Sequence, residues 1–115
     1  MLKVYGIKNC SSMKKAFDLL SELGLVYDFH DYKKQGIDAA TVKVWLDQIG
    51  ADVVLNKKGT TWRKLTPTEQ EAALATEIGL IEALTTHNSL IKRPIIATDN
   101  SFVIGFDEAL IRKLE

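Results

Sequence analysis

A mixed α/β fold is what this sequence predicts, with a βαβ unit at its start, a helical stretch in its middle and a ββα unit at its end. The prediction rests on changes in hydrophobic period along the chain. Leu2 to Ile7 alternates and carries Val4, Tyr5 and Ile7, as a half-buried strand does. Met13, Ala16, Phe17, Leu20 and Leu23 then recur at helical spacing, and Leu25 to Tyr32 returns to a β-rich run with Val26, Tyr27, Phe29 and Tyr32. Strand, helix and strand within about thirty residues match the size of a crossover between parallel strands.

Each further element has its own signal. Gly24 supplies a left-handed stop to the first helix. Lys33 to Gly36 reads as a polar link. Asp38 caps a helix with Val42, Trp45, Leu46 and Ile49 on one face, and Gly50 ends it. Asp52 to Leu55 carries a weak strand signal, and Asn56 to Lys64, with Gly59 inside it, reads as a loop with a short helical turn. Thr66-Pro67-Thr68-Glu69 is a helix start, with a capping Thr, Pro at the first helical position and Glu at the third. Another helix runs from Ile78 to about Thr86, so about 33–88 is a helical insertion between the second and third strands. Arg93-Pro94 leads into the strand residues Ile95, Ile96 and Ala97. Asp99-Asn100 is a two-residue hairpin turn, Ser101 to Ile104 is the return strand, and Asp107 caps a last helix containing Leu110, Ile111 and Leu114.

One domain is the natural count for 115 residues. A chain of this length buries roughly two-thirds of its unfolded surface, enough for a core without disulfides or metal. Fifteen Lys and Arg side chains balance fifteen Asp and Glu, which removes the electrostatic case for nucleic acid or an anionic membrane as partner. MLKVYGIKNC is too polar for a signal peptide, and no apolar run approaches a membrane span. The single cysteine closes no internal disulfide, and no Cys/His cluster has metal-ligand spacing. The expectation is a monomer in the reducing cytoplasm with no bound metal or cofactor.

That cysteine, Cys10, stands where the first strand hands over to the first helix, in Gly6-Ile7-Lys8-Asn9-Cys10-Ser11-Ser12. Unpaired backbone N–H groups and the positive end of the helix dipole point at such a sulfur and favour thiolate over thiol. Cysteines so placed titrate at ~3.5–7.5 rather than ~8.5. Lys8, just before it, and Lys14, one turn on, are each expected to add to that push. The alternative is a small buried filler, a common fate of free cysteine. Met13 stands where a Cys-x-x-Cys protein has its second thiol, so any disulfide of Cys10 is with another molecule. A small thiol such as glutathione is the candidate co-substrate.

Arg93 is expected at the edge of the third strand, in reach of the Cys10 loop, and Pro94 donates no ladder hydrogen bond. A cis bond at Pro94 would leave adjacent backbone to pair with a bound peptide or glutathione. The plainer alternative is a surface arginine before a strand-capping proline.

These features together resemble the arsenate reductase (ArsC)-like group of the thioredoxin superfamily, over essentially the whole chain. Within it, Tyr5-Gly6-Ile7-Lys8-Asn9-Cys10, Gly59-Thr60-Thr61-Trp62-Arg63-Lys64-Leu65 and Leu90-Ile91-Lys92-Arg93-Pro94 are similar to YffB-type proteins. The resemblance implies a thioredoxin-like core, βαβ…ββα, with a helical insertion between the second and third strands. It implies Cys10 as nucleophile, Arg93 as catalytic anion-binding cation and Pro94 as the cis-proline. Lys8, Asn9, Lys58 and Pro94 are then expected to bind substrate or glutathione, with Lys57 as an alternative to Lys58 for the family's further cation.

Departures from the family pattern bear on the substrate. Arsenate reductases carry a histidine where this chain has Gly6 and a further arginine where it has Gly105. A pocket short of an arginine loses bidentate contacts to an oxyanion. The implied activity is therefore a glutathione-dependent thiol or disulfide reductase acting on a small thiol, disulfide or oxyanion other than arsenate. The alternatives are an Spx-like regulator that binds RNA polymerase, which Gly105-Phe106-Asp107-Glu108 resembles but Met13 denies a Cys-x-x-Cys switch, and a non-catalytic family member. His30 and His87 have no partner at useful spacing and read as structural, Trp45 and Trp62 as packing residues, and Glu69, Glu71 and Glu77 as a solvated face.

Overall fold

The alternation at the start of the chain forms β1, Leu2–Gly6, with Val4 and Gly6 turned inward. The computed structural model describes residues 1–114, and within it the chain divides into two units. One comprises Met1–Gln35 and the chain from Arg93 on; the other is Gly36–Lys92.

In the first unit β1 pairs in parallel with β2, Tyr27–Asp31, and α1, Ser11–Glu22, lies between them in sequence. On its other side β1 pairs antiparallel with β3, Ile95–Ala97, which pairs antiparallel with β4, Phe102–Ile104. The sheet order is β2-β1-β3-β4. The helical stripe of α1, Met13, Ala16, Leu19 and Leu20, joins Val4, Ile96, Val103 and Ile111 in one core. Ile111 belongs to the last helix, Glu108–Arg112, whose start Asp107 caps by accepting the Leu110 amide at 3.1 Å. Full burial of each large apolar side chain here contributes about 1.5–3 kcal/mol. Gly24, at φ 68°, lets the chain reverse after α1 while the Leu25 amide returns to the Leu20 carbonyl at 3.0 Å. The hairpin turns at Asp99-Asn100, closed by the Thr98 amide donating to the Ser101 carbonyl at 2.9 Å. The Arg93-Pro94 peptide is cis.

Several boundaries differ from the sequence expectation; Leu114, for one, lies in a turn beyond the last helix rather than within it. β1 ends at Gly6, not Ile7, and the second strand covers Tyr27–Asp31 rather than Leu25 to Tyr32. Tyr32 instead opens a one-turn helix, α2, Tyr32–Gln35, in place of the polar link. The Asp31 carboxylate causes this by accepting the Lys33 and Lys34 amides at 3.0 and 3.3 Å, the donors a helix start leaves over.

The second unit is helical. α3, Ala39–Gln48, is capped by Asp38 and buries Val42 and Trp45. The weak strand signal at Asp52 to Leu55 is overturned: Ala51–Val54 is a helical turn, α4. Leu55 keeps a single bridge to Ile91, so two apolar residues pair without a strand extending from either. α5, Thr60–Lys64, buries Trp62. α6, Pro67–Ala75, has a complete capping box between Thr66 and Glu69. α7, Glu77–Thr86, packs on α6 and α3, so closely on α6 that a Cβ at Gly79 would overlap the Ala72 carbonyl. Glu77 pairs with Lys43 of α3 at 2.8 Å. A 3-10 turn, Asn88–Leu90, ends the unit. No helix among the described residues is long and apolar enough to cross a membrane.

Candidate active site around Cys10

Cys10 is the N-cap residue of α1, with extended backbone at φ −144° and ψ 137°. The turn between β1 and α1 puts its side chain at the helix start, packed on the core edge yet partly open to solvent. It is not a sealed filler. As a thiol it makes no capping hydrogen bond, and the first turn of α1 holds no acidic residue. The Ser12 and Met13 amides lie where they favour the thiolate.

Strand pairing supplies the cation. Tyr5 lies opposite Ile95 in the antiparallel β1–β3 pair, so the chain before β3 runs beside the chain after β1. Arg93, half-buried, thereby donates a hydrogen bond to Cys10. Burial pushes the Cys10 thiol up, but the Arg93 hydrogen bond, the Met13 and Ser12 amides and the Arg93 charge together bring it below its ordinary value.

The expected push from lysines takes a different form. Lys14 is exposed and paired with Asp18 at 3.0 Å, one helical turn away, and Lys8 is exposed. Water screens both. Their place is in the walls of two open grooves. One, about 490 Å³, has Lys8, Asn9, Ser11, Lys14, Phe17 and Asp18 around Cys10. The other, about 340 Å³, is bounded by Ile7, Lys8, Asn9, Asp31, Lys33 and Lys34. Lys8 and Asn9 border both. Phe17 stacks on Tyr27 at 5.6 Å and meets Phe29 edge-on at 5.0 Å, which fixes the apolar end of the larger groove.

Pro94 is buried, and its carbonyl accepts the Gly105 amide at 2.7 Å, tying the Arg93-Pro94 segment to the end of β4. Gly105 has φ 72°, a conformation an arginine would adopt only with strain. Gly6 is constrained by packing instead, because a Cβ there would overlap the end of the Met13 side chain, which would have to shift. The two departures noted in the sequence are thus built into the backbone and core of the first unit.

Lys57 and Lys58 belong to the second unit and are exposed. The Lys58 amide donates to Asn56 Oδ1 at 3.1 Å and its carbonyl accepts from the Arg63 guanidinium at 3.2 Å, which shapes the turn before α5. Trp62 and Trp45 are buried. His30 stacks obliquely on Tyr5 at 5.3 Å, and His87 caps the end of α7. No group of His, Cys, Asp and Glu among the described residues could hold a metal ion.

One site residue went unread in the sequence. Tyr32, taken there for a strand aromatic, is fully buried and hydrogen-bonded to Arg93. Burial raises its phenol to about 12. The signal that would have found it is Asp31, a cap residue directly before it.

Fold and site define a class: thioredoxin-like α/β proteins with one ionisable thiol at the start of the helix that follows the first strand. Residues 5–114 match the model of the ArsC family, and the chain belongs to that family. A relative from Haemophilus influenzae, described only as an uncharacterized protein, is 40% identical over 108 residues, covering 94% of this chain and 93% of its own. The solved structure of a YffB protein is 38% identical, covers 98% of this chain and 97% of its own, and superposes with a TM-score of 0.92. An arsenate reductase (ArsC) related protein from Brucella melitensis is 37% identical over 97% of this chain and 92% of its own, with a TM-score of 0.75.

Proposed function

We propose that this ArsC-family chain is a glutathione-dependent disulfide reductase that works through the Cys10 thiolate. The observation that carries the reading is a partly open sulfur at an uncapped helix start, held ionisable by the Arg93 hydrogen bond. The thiolate is the attacking form in thiol–disulfide exchange. Cys10 attacks the glutathione sulfur of a mixed disulfide; the S–S bond breaks, the substrate thiolate leaves and takes a proton from water. A second glutathione, giving its proton to water, attacks the Cys10–glutathione disulfide. That step releases glutathione disulfide and restores Cys10. The substrate's disulfide sulfur is reduced to a thiol, and the sulfur of the second glutathione is oxidised, while the first glutathione stays at the disulfide level throughout.

Among the described residues Cys10 is the sole thiol, and Met13 is fully buried, so the resolving thiol comes from outside. Lys8, Lys14, Lys33 and Lys34 line the grooves on either side, which suits a ligand bearing carboxylates such as glutathione. The constraints at Gly6 and Gly105 support a substrate other than arsenate, since neither position accepts the longer side chain without rearrangement. The same free thiol suits a reducing cytoplasm.

Intact-mass analysis after incubation with glutathione disulfide tests the reading. The expected result is one glutathione adduct on Cys10, removed by free glutathione and absent from Cys10→Ser. Glutathione-dependent turnover that survives in Cys10→Ser overturns it.

A further inference from the structure

We infer that Phe17 is a specificity-determining residue of the Cys10 site, its ring seating the apolar side chain of the thiol that leaves during disulfide exchange. The substrate class this names is the glutathione mixed disulfide of a small arylalkyl thiol. The assignment rests on reading Cys10 as the working thiolate, and three observations on the first unit carry it.

The first is that sulfur and ring share one groove. Cys10 caps α1, and Lys14, Phe17 and Asp18 follow it along one flank of the helix, all bordering the groove of about 490 Å³. Helix rise puts the Phe17 backbone roughly 10 Å beyond Cys10. Helical side chains lean toward the N-terminus, which carries the ring back toward the sulfur. Exchange is an in-line displacement, so the departing sulfur lies two S–S bond lengths, about 4 Å, from Cys10. A phenyl group one carbon further along the groove meets Phe17.

The second is that the ring is held in place while part of it stays open. Phe17 packs against the core without being sealed in it, stacked on Tyr27 at 5.6 Å and edge-on to Phe29 at 5.0 Å. An apolar wall already fixed by its neighbours binds without the cost of ordering it. The third is charge. Lys14, one turn before Phe17, is paired with Asp18 at 3.0 Å, so this end of the groove offers an anion little net attraction. The smaller groove differs: Lys8, Lys33 and Lys34 border it against one carboxylate, Asp31, and no aromatic ring lines it. That groove suits the carboxylates of glutathione, and the Phe17 groove suits a neutral apolar group. Lys8 and Asn9 border both, so one mixed disulfide can lie across them with a half on each side.

The test is alkylation of Cys10 in the full chain by N-benzyl iodoacetamide and by iodoacetamide, each rate divided by that of free glutathione with the same reagent. The parent protein should prefer the benzyl reagent by about tenfold, the gain from taking one side of a phenyl ring out of water. Phe17→Leu, which keeps apolar bulk against the core, should lower that preference to about threefold, and Phe17→Ala should bring it near unity. Equal normalised rates in the parent protein, or an undiminished preference in Phe17→Leu, overturn the role of Phe17. Turnover tests the substrate class with two thiols of similar acidity. The kcat/KM for the glutathione mixed disulfide of phenylmethanethiol should exceed that for the mixed disulfide of 2-mercaptoethanol by about tenfold, and equal values overturn the class. Alkylation needs neither glutathione nor turnover. A protein that fails the reductase assay yet keeps the benzyl preference loses the proposed reaction and keeps the selectivity of its groove; turnover without that preference does the reverse.

Discussion

Two helix starts in this protein are built in opposite ways. At α6, Thr66 accepts the Glu69 amide at 3.1 Å, Glu69 reaches back to the Thr66 amide at 2.8 Å, and Pro67 removes a donor from the first turn. At α1 the capping position holds a cysteine, its side chain forms no cap, and no acid or proline follows. The first arrangement satisfies the spare amides of the helix from within the chain. The second leaves them facing a sulfur that can become an anion. A filled cap contributes stability, and an unfilled one next to a nucleophile creates a binding site for charge.

The strongest way to break this comparison is to remove the cation that completes the α1 site. Arg93→Ala should reduce kcat/KM for glutathione-dependent disulfide reduction by on the order of 1.5–3 kcal/mol, the usual worth of a charged hydrogen bond. It should also move the alkylation profile of Cys10 to higher pH, because the Arg93 hydrogen bond is the largest single influence that offsets burial and holds its titration down. Sign and window follow from that direction: reactivity in the parent protein persists below the ordinary thiol range and is lost only as pH falls through the lowered value. Unchanged kinetics and profile would remove Arg93 from the site.

Filling in the opposite sense sharpens the contrast. Thr66→Ala should cost about 1 kcal/mol of unfolding free energy, measured by denaturant titration, and leave Cys10 alkylation unaltered. The smallest effect belongs to Lys14→Ala. It breaks an exposed pair with Asp18 and should change stability by less than about 0.5 kcal/mol without moving the Cys10 profile. A clear shift of that profile would return to Lys14 the role the sequence suggested.

Much of the fold was legible because its signals are local. Alternation at Val4, the stripe from Met13 to Leu20, the box at Thr66 and the turn at Asp99-Asn100 each depend on residues a few places apart, and each element formed. The shortest elements were misread because a handful of apolar residues has no period. Ala51–Val54 became a helix although Val53, Val54 and Leu55 favour strands, and Tyr32 left its strand when Asp31 offered an acceptor to the following amides. At the site, sequence proximity misled. Lys8 and Lys14 are near Cys10 in the chain and exposed, whereas Arg93 is remote in the chain and bonded to the sulfur. Only the pairing of β1 with β3 brings it there. Residue type and position at a helix start identified Cys10, and the Arg93-Pro94 motif identified Arg93, but the contact between them forms only through the sheet.

The overlap of a Cβ at Gly6 with the buried end of Met13 couples the side chains these two positions can hold. A side chain at 6 forces the flexible thioether of Met13 to shift or a smaller residue to take its place. Adding a side chain at 6 or a second thiol at 13 is therefore a paired exchange, since each change alone alters how the other position fills the core.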